Sequence, residues 1–483
     1  MTIDPGVWSG RRVCVAGVAI SGAAAARALA ARGAHVTVVD GRAGQHQQDR
    51  ADALRQAGVT VLLGEAGARL PPATDLVVTS PGWRPDQPLL VAAADAGVPV
   101  WGEVELAWRL RDPSVPWLGV TGTNGKTTTV QMLEAILLAS GARAVAAGNV
   151  GLPLVEVVTA ERPYDVIAVE VSSFQLHWTT TVEFAAAAVL NVAPDHIDWH
   201  GSLDAYAADK ALAWRGSGIV VVNDDDAAAR GLVASAAPER TVRGFTLGEP
   251  GAGQLGVRGG WLVDSDEAHT GLAEVADVRP AAPHNVANAL AAAALARAYG
   301  VAAVAVRDGL RGFRSGGHRI ALVATADGVD YVDDSKATNP HAAAASLQAF
   351  ERVVWVAGGL AKGATFGALV QQVADRLRGV VLMGADRALI AEALARHAPD
   401  VPVVDVTGTD TGAMDDVVRA AAALARPGDT VLLAPACASM DMFRDYAARG
   451  DAFAAAARSL PPGPARPSGQ PTENVRAEGG PVA

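Results

Sequence analysis

The stretch LGVTGTNGKTTT (118–129) decides how this chain is read. An apolar strand runs into a turn built on Gly122 and Gly125, and Lys126 opens a helix that continues through VQMLEAILLA. The backbone N–H groups of such a turn can wrap a phosphate chain. The lysine then reaches the β- and γ-phosphates, and the hydroxyl after it can ligate Mg²⁺ at the helix N-terminus. Gly122, Thr123, Asn124, Gly125, Lys126, Thr127 and Thr128 are therefore the expected ATP-loop residues. The strict motif would place a glycine at 120, where Val120 stands.

Outward from this loop the chain repeats strand, turn and helix. Upstream, β-rich runs cover 11–18, 34–40, 59–63, 75–82 and 98–108. Downstream, the strand-like runs 165–176, 185–192 and 218–223 end in polar residues. The glycine-rich alternation between 241 and 278 predicts hairpins on one sheet edge, and 282–300 a helix stopped by glycine. Further on, YVDDSKATN, RVVWVAGGLAKG, GVVLMG, VPVVDV and TVLLAPACASMDMF each read as a buried strand and a polar turn. This alternation predicts an α/β protein with parallel sheets covered on both faces. Linkers at RDPSVP (111–116) and near 312 divide it into domains 1–112, 113–311 and 312–460. The Pro/Gly-rich segment 461–483 reads as a disordered tail.

Composition narrows the function. The 483 residues are too many for one hydrophobic core, and 50% hydrophobic with 19% charged residues excludes a disordered chain. A net charge of −11 disfavours binding to nucleic acid or to acidic membranes. Cys14 and Cys437, far apart, offer neither a disulfide framework nor a CxxC metal site, which suits a reducing, cytoplasmic compartment. No apolar run reaches the roughly 18 residues needed to span a bilayer.

Three further clusters carry chemistry. Glu170 in VEVSSFQL ends a strand where a carboxylate facing the phosphate loop could hold Mg²⁺. Asp195, His196, Asp198 and His200 follow the next strand, with Lys210 on the helix beyond; alone they fit a metal site or a polar helix cap equally well. Turns in the last third sit where open α/β sheets bind ligands, although Thr338 and Ser439 taken singly read as helix N-caps. Cys437 reads as a small buried filler.

GTNGKTT, EVSSFQL, NVAPDHIDWH with Lys210, HNVAN, GHR, DDSKATN, GGLAKG and ACASMDMF occur in this order over residues 10–455. The set resembles the Mur ligases of peptidoglycan synthesis, and within them the D-glutamate-adding branch. The resemblance implies an N-terminal Rossmann-like UDP-binding domain, a central P-loop ATPase domain and a C-terminal Rossmann-like domain that closes over them. It implies that Ile20, Ser21, Asp40, Ser80, Gly82, Asn149, Ser172 and His196 bind the UDP sugar, with Ala19 and Gly41 departing from the usual residues. Asn285, Asn288, Arg319, Asp334 and Lys336 would complete the ATP site. Thr338, Lys362, Ser439, Met440 and Tyr446 would grip D-glutamate, with Leu360 where relatives carry an acidic residue. Thr127, Glu170, His196 and Lys210, the last if carbamylated, would hold two Mg²⁺ ions. Lys126, His196 and Lys210 would be catalytic. The implied substrates are UDP-N-acetylmuramoyl-L-alanine, D-glutamate and ATP, handled by a cytoplasmic monomer.

Overall fold

The computed structural model describes residues 7–460, apart from 237–238, 266–269, 315 and 409. The expected tail at 461–483 lies outside the described residues. Two compact units divide between Gly316 and Gly317.

The first unit holds two sheets. Strands β1 (Arg12–Ala16), β2 (His35–Asp40), β3 (Thr60–Leu63), β4 (Leu76–Thr79) and β5 (Val100–Gly102) form a parallel sheet in the order β3-β2-β1-β4-β5. The order turns back between β1 and β4, and the carboxyl ends there border the crevice where such sheets take ligands. The second sheet comprises β6 (Trp117–Thr121), β7 (Ala144–Gly148), β8 (Val166–Glu170), β9 (Ala186–Val189), β10 (Ile219–Asn223), β11 (Thr241–Phe245), β12 (Leu255–Arg258), β13 (Trp261–Asp264) and β14 (Thr270–Glu274). Its order is β14-β13-β12-β11-β10-β9-β6-β8-β7, parallel except for the β12-β13-β14 meander. Of the hairpins expected at 241–278, β12-β13 and β13-β14 form along one edge, whereas β11 pairs in parallel with β10 and β12. Strand β6, buried throughout, lies between β8 and β9 and delivers the glycine loop at mid-sheet.

The second unit has one sheet: β15 (Ala321–Ala326), β16 (Val329–Asp333), β17 (Val353–Gly358), β18 (Leu377–Met383), β19 (Val403–Asp405) and β20 (Thr430–Leu433). The order is β15-β16-β20-β17-β18-β19, with only the β15-β16 pair antiparallel. Apolar residues line both faces, as parallel strands under helices require.

Alanine makes the central layer thin. In the helix Pro283–Ala298 residues 288–296 are all buried, because small side chains let the helix approach the sheet on a wide face. Gly309 serves the same end: a Cβ there would stand 2.5 Å from Ile136 Cα of the helix Lys126–Ala139. Among the described residues no helix is long and apolar enough to cross a membrane.

Two expected strands stop early. The run 98–108 gives β5 and then the helix Glu103–Leu110, whose first-turn Glu103 and Glu105 suit a helix N-terminus. The run 165–176 gives β8 and then the helix Ser173–His177, started by a capping box between Ser172 and Gln175.

The helix Glu103–Leu110 also fastens the first sheet to the second. Glu105, fully buried, accepts from the backbone N–H groups of Thr180 and Thr181, from both hydroxyls and from Arg109 Nε. Glu103 Oε1 accepts from Val155 N at 2.7 Å, and Gly102 N donates to Trp178 O at 3.0 Å. One apolar cluster runs from Val15 and Leu106 to Trp117 and Phe184, through both sheets.

Candidate functional site

The glycine loop is shaped by two left-handed residues and an asparagine. Gly122 has φ +154 and Gly125 φ +84, and a Cβ on Gly125 would stand 2.3 Å from Asn288 Oδ1. Asn191, just past β9, pins the loop from the side: its Oδ1 accepts from Asn124 N at 2.8 Å and its Nδ2 donates to Asn124 O at 3.1 Å. Thr123 is fixed by Tyr206, whose hydroxyl lies 3.0 Å from Thr123 Oγ1. The amide groups of the turn are thereby held open toward the helix that Lys126 starts. Thr127, Thr128 and Thr129 are buried at its first turn. Thr129 Oγ1 donates to Asn288 Oδ1 at 3.3 Å, so Asn288 meets the loop it is expected to serve. Asn285, one turn away, donates Nδ2 to Pro280 O at 2.9 Å.

Two lysines meet at this loop. Lys126 Nζ donates to Gly122 O and Thr123 O, both at 2.8 Å. Lys210 Nζ, on the buried face of the helix Leu203–Ala211, donates to Gly122 O at 2.9 Å and lies 4.2 Å from the Tyr206 ring centre. Burial holds Lys210 well below the usual lysine value, and the Lys126 charge adds to the effect. Burial lowers Lys126 as well, opposed by Glu170 and Asp195.

Glu170 ends β8 beside the loop. Its Oε1 accepts from Asn149 Nδ2 at 2.9 Å, whereas its Oε2 is buried with no partner among the described residues. A buried carboxylate oxygen without a donor fits a cation that would occupy that side. Among the described residues no three His, Cys, Asp or Glu side chains are gathered as a metal centre.

The two histidines of DHIDWH part ways. His196, with φ +54, turns toward the cleft and packs 4.7 Å from the Phe174 ring. His200 has a fully buried side chain that lies 2.8 Å from Asp209 Oδ2 through Nδ1 and 3.0 Å from Ser173 Oγ through Nε2. Thr123, Lys126, Asn149, Ser172, Ser173, Asp195, His196 and Lys210 line one cleft of about 130 Å³.

In the first sheet, the turn after β1 is closed against the loop after β4. A Cβ on Gly17 would stand 2.5 Å from Ser80 Oγ, which is itself buried and without a partner among the described residues. Ile20 and Ser21 begin the helix Ile20–Ala30, with the Ile20 side chain exposed. Asp40 is buried at the end of β2 and accepts from Val18 N at 3.3 Å and from Arg42 N at 3.0 Å. Gly82 is exposed, and a Cβ there would meet nothing within 4 Å. Nearby, Arg84 Nη1 donates to Asp198 O at 2.6 Å, so the loop carrying Ser80 and Gly82 reaches the DHIDWH turn.

In the second unit, the turns after β16, β17 and β20 come together because those strands are neighbours. Leu360 and Ala438 exchange backbone hydrogen bonds of 2.9 Å, which sets exposed Lys362 (φ +49) near buried Ser439. Lys336 Nζ lies 4.0 Å from the Tyr446 ring, and Thr338 N donates to Lys336 O. Met440 is exposed, and Arg319 half-buried, at the same carboxyl ends. Asp334 is buried and bonded to the Ser346 hydroxyl, and burial pushes its carboxyl up to about 7.

Three family profiles match successive parts of the chain. They describe a Mur ligase MurD-like N-terminal domain (residues 11–102), a Mur ligase middle domain (120–296) and a Mur ligase glutamate ligase domain (318–437). A UDP-N-acetylmuramoylalanine–D-glutamate ligase of Streptomyces avermitilis is 61% identical over 463 residues, covering 94% of this chain and 99% of its own. The chain belongs to the Mur ligase family. A ligase of the same name from Mycolicibacterium smegmatis is 51% identical, over 93% of this chain and 97% of its own. Among solved structures, a UDP-N-acetylmuramate–alanine ligase of Thermotoga maritima matches with a TM-score of 0.58 at 19% identity, covering 93% of this chain and 99% of that one. The three-domain α/β architecture expected from the motifs is the architecture of this Mur ligase.

Several residues that shape the cleft of the first unit or the turns of the second are not singled out by the sequence. Asn191 opens the NVAPDHIDWH motif and Tyr206 lies between that motif and Lys210, neither with a signal of its own beyond position. Arg449 is buried on the helix Tyr446–Arg458 and donates to Ser335 Oγ, Ser335 O and Cys437 O, tying the DDSK turn to the ACAS turn. An arginine in the alanine-rich YAARGDAF was the one available hint, since burial is what the neighbours demand there.

Proposed function

We propose that this Mur ligase joins D-glutamate to UDP-N-acetylmuramoyl-L-alanine at the expense of ATP, in the cytoplasmic assembly of peptidoglycan precursors. The near-full-length identity to ligases that carry this name is the observation that carries the reading. The cleft supports it: a phosphate loop, two lysines and a carboxylate with an unpartnered oxygen converge at the carboxyl ends of β6 and β8.

In the first step the alanyl carboxylate attacks the γ-phosphorus of ATP, the bond to the β,γ-bridging oxygen breaks, and acyl phosphate and ADP result. In the second the amine of D-glutamate adds to the acyl carbon, and the tetrahedral intermediate expels phosphate while the nitrogen loses a proton. Carboxylate is a poor acyl donor, so phosphorylation supplies the leaving group. Lys126 exchanges its two loop carbonyls for phosphate oxygens and, with the loop amides, offsets the charge between the reacting anions. Burial and the Lys126 charge favour the neutral form of the Lys210 amine, which captures CO₂ and becomes an anionic carbamate, releasing a proton. Bound Mg²⁺, two ions, supplies charge neutralisation on the phosphates; Thr127, Glu170, His196 and carbamylated Lys210 would hold it.

The same reading assigns Ile20, Ser21, Asp40, Ser80 and Gly82 to the UDP end and Asn149, Ser172 and His196 to the sugar. Asn285, Asn288, Arg319, Asp334 and Lys336 complete the ATP site, and Thr338, Lys362, Ser439, Met440 and Tyr446 take D-glutamate. The protein works as a monomer with domains 1–112, 113–311 and 312–460. Phosphate release measured with each amino acid in turn tests the proposal. Release should require both the muramoyl-alanine nucleotide and D-glutamate; equal or greater activity with L-glutamate or a diamino acid would sink it.

A further inference from the structure

The loop that leaves β6 is held along its first half and open along its second. Leu190 N donates to Thr121 O at 3.0 Å and Thr123 N to Asn191 O at 3.0 Å, so the pairing of β6 with β9 continues two residues beyond both strands. Thr123 Oγ1 adds a tie by accepting from Ala193 N at 3.0 Å. At Asn124 the main-chain ladder runs out, and the Asn191 side chain replaces it. Its Oδ1 accepts from Asn124 N at 2.8 Å and its Nδ2 donates to Asn124 O at 3.1 Å. A primary amide carries an acceptor and a donor on one carbon, the same pair that a peptide group presents to a neighbouring strand. The segment that carries Asn191 is anchored from its other side, where Asn223 Nδ2, at the end of β10, donates to Leu190 O at 3.0 Å.

The polar groups of the loop therefore fall into two sets. The carbonyls of Gly122, Thr123 and Asn124 are taken by Lys126, Lys210 and Asn191, and the N–H groups of Thr123 and Asn124 by Asn191 alone. From Gly125 onward the pattern changes. Among the described residues the N–H groups of Gly125, Lys126, Thr127 and Thr128 meet no acceptor, at the start of a helix with no side-chain cap. An N–H group already bonded must break that bond before it can hold phosphate, whereas these four have none to break. On the reading of this loop as the ATP loop, we propose that Asn191 is a positioning residue for the nucleotide. It withdraws the Thr123 and Asn124 amides from the phosphate site and holds the loop in its nucleotide-binding shape, so that the grip on phosphate begins at Gly125. Without the bridge the loop samples other shapes, and apparent affinity falls with the fraction that stays competent. Bound nucleotide then holds the loop itself, so the loss lies in nucleotide binding and not in turnover.

The test uses the full chain, ATP and Mg²⁺. In nitrogen-labelled wild type, ATP should move the amide resonances of Gly125, Lys126 and Thr127 and leave that of Asn124 in place. Asn191→Ala and Asn191→Asp should each raise the calorimetric Kd for ATP about 10-fold, for loss of the paired hydrogen bonds. In ligase assays kcat at saturating ATP should stay within about 2-fold of wild type, and KM for the acyl substrate and for D-glutamate should not change. Asn191→Asp separates positioning from packing: it fills the same volume and keeps an acceptor, but it sets an oxygen that cannot donate against Asn124 O. A wild-type Kd in Asn191→Asp would therefore overturn the proposal. So would an Asn124 amide shift on ATP as large as that of Gly125, or a fall in kcat with Kd unchanged. Should Asn191→Ala lose its folded circular dichroism, the isosteric Asn191→Asp and the wild-type amide shifts decide the matter. Absence of ATP binding by wild type would count against the reading of the loop rather than against Asn191.

Discussion

Lys126 and Lys210 donate to the same acceptor, the carbonyl oxygen of Gly122, at 2.8 Å and 2.9 Å. Two lysine nitrogens on one carbonyl, with Lys210 buried, make a site in which a second positive charge is poorly tolerated. Triphosphate arriving on the loop relieves one lysine, and carbamylation would remove the charge of the other.

The folded-state value of Lys210 is lowered, so folding releases its proton over the interval between that value and the ordinary 10.5. Wild type should therefore gain stability relative to Lys210→Met as pH rises from about 7 toward 10, because the unfolded chain binds more protons there. Tm measured for both proteins across that range checks the sign; a gap that stays constant refutes it. In the same variant ligase activity should fall by about 100-fold or more. Lys210→Ala should regain part of its activity with bicarbonate or a short-chain acid, and full activity of that variant would remove the carbamate.

Glu170 and Asn149 make a paired prediction. Asn149→Ala frees Glu170 Oε1 from its one side-chain donor and should raise the Mg²⁺ concentration for half-maximal activity about 10-fold. Glu170→Gln should raise it further while leaving the folded circular dichroism intact. A magnesium titration with unchanged midpoints would place the ion elsewhere.

Gly125→Ala meets two obstacles at once, a φ of +84 and a Cβ 2.3 Å from Asn288 Oδ1. The backbone cost alone is about 1–2 kcal/mol, before the clash. Combining it with Asn288→Ala removes the clash and leaves the φ. ATP binding measured by calorimetry should thus be lost in the single variant and recovered in part in the double.

Glu103 and Glu105 answer pH in opposite senses. Burial pushes Glu103 up to about 7, so its favourable contribution is present below 4.5 and lost as pH rises through 7. Glu105 is also raised by burial, but donors from Thr181, Thr180 and Arg109 outweigh this and leave its value lowered. Its contribution is present above the ordinary carboxylate value and is lost on acidification. Glu103→Gln should raise Tm at pH 8 and change little at pH 5, an effect on the order of 3 kcal/mol. Glu105→Ala should lower stability at pH 8 by about 3–5 kcal/mol, since it strands several donors. Thermal melts at the two pH values distinguish the pair.

Local features were legible in the sequence and distant pairings were not. The loop at 122–128 could be read because its glycines, its strand and its helix are contiguous. The run 98–108 reads as all strand because its apolar residues satisfy either period, whereas β5 ends at Gly102 and a helix follows. The three turns of the second unit could be seen as turns, but that they meet follows from β20 lying between β16 and β17, which no local pattern encodes. Arg449 joins residues 114 positions away, and His200 meets Ser173 across 27. Such partners are chosen by topology, and one sequence carries no trace of them.

The Glu105 clasp bears on how this chain can be rebuilt. Its acceptors belong to the first sheet's last helix and its donors to Thr180 and Thr181 beyond β8. A graft that exchanged residues 11–112 for those of another ligase would deliver a foreign side chain to two backbone N–H groups tailored for a carboxylate. The transferable piece is therefore discontinuous in sequence: the first sheet, its terminal helix, and the segment around 154–181 that receives them.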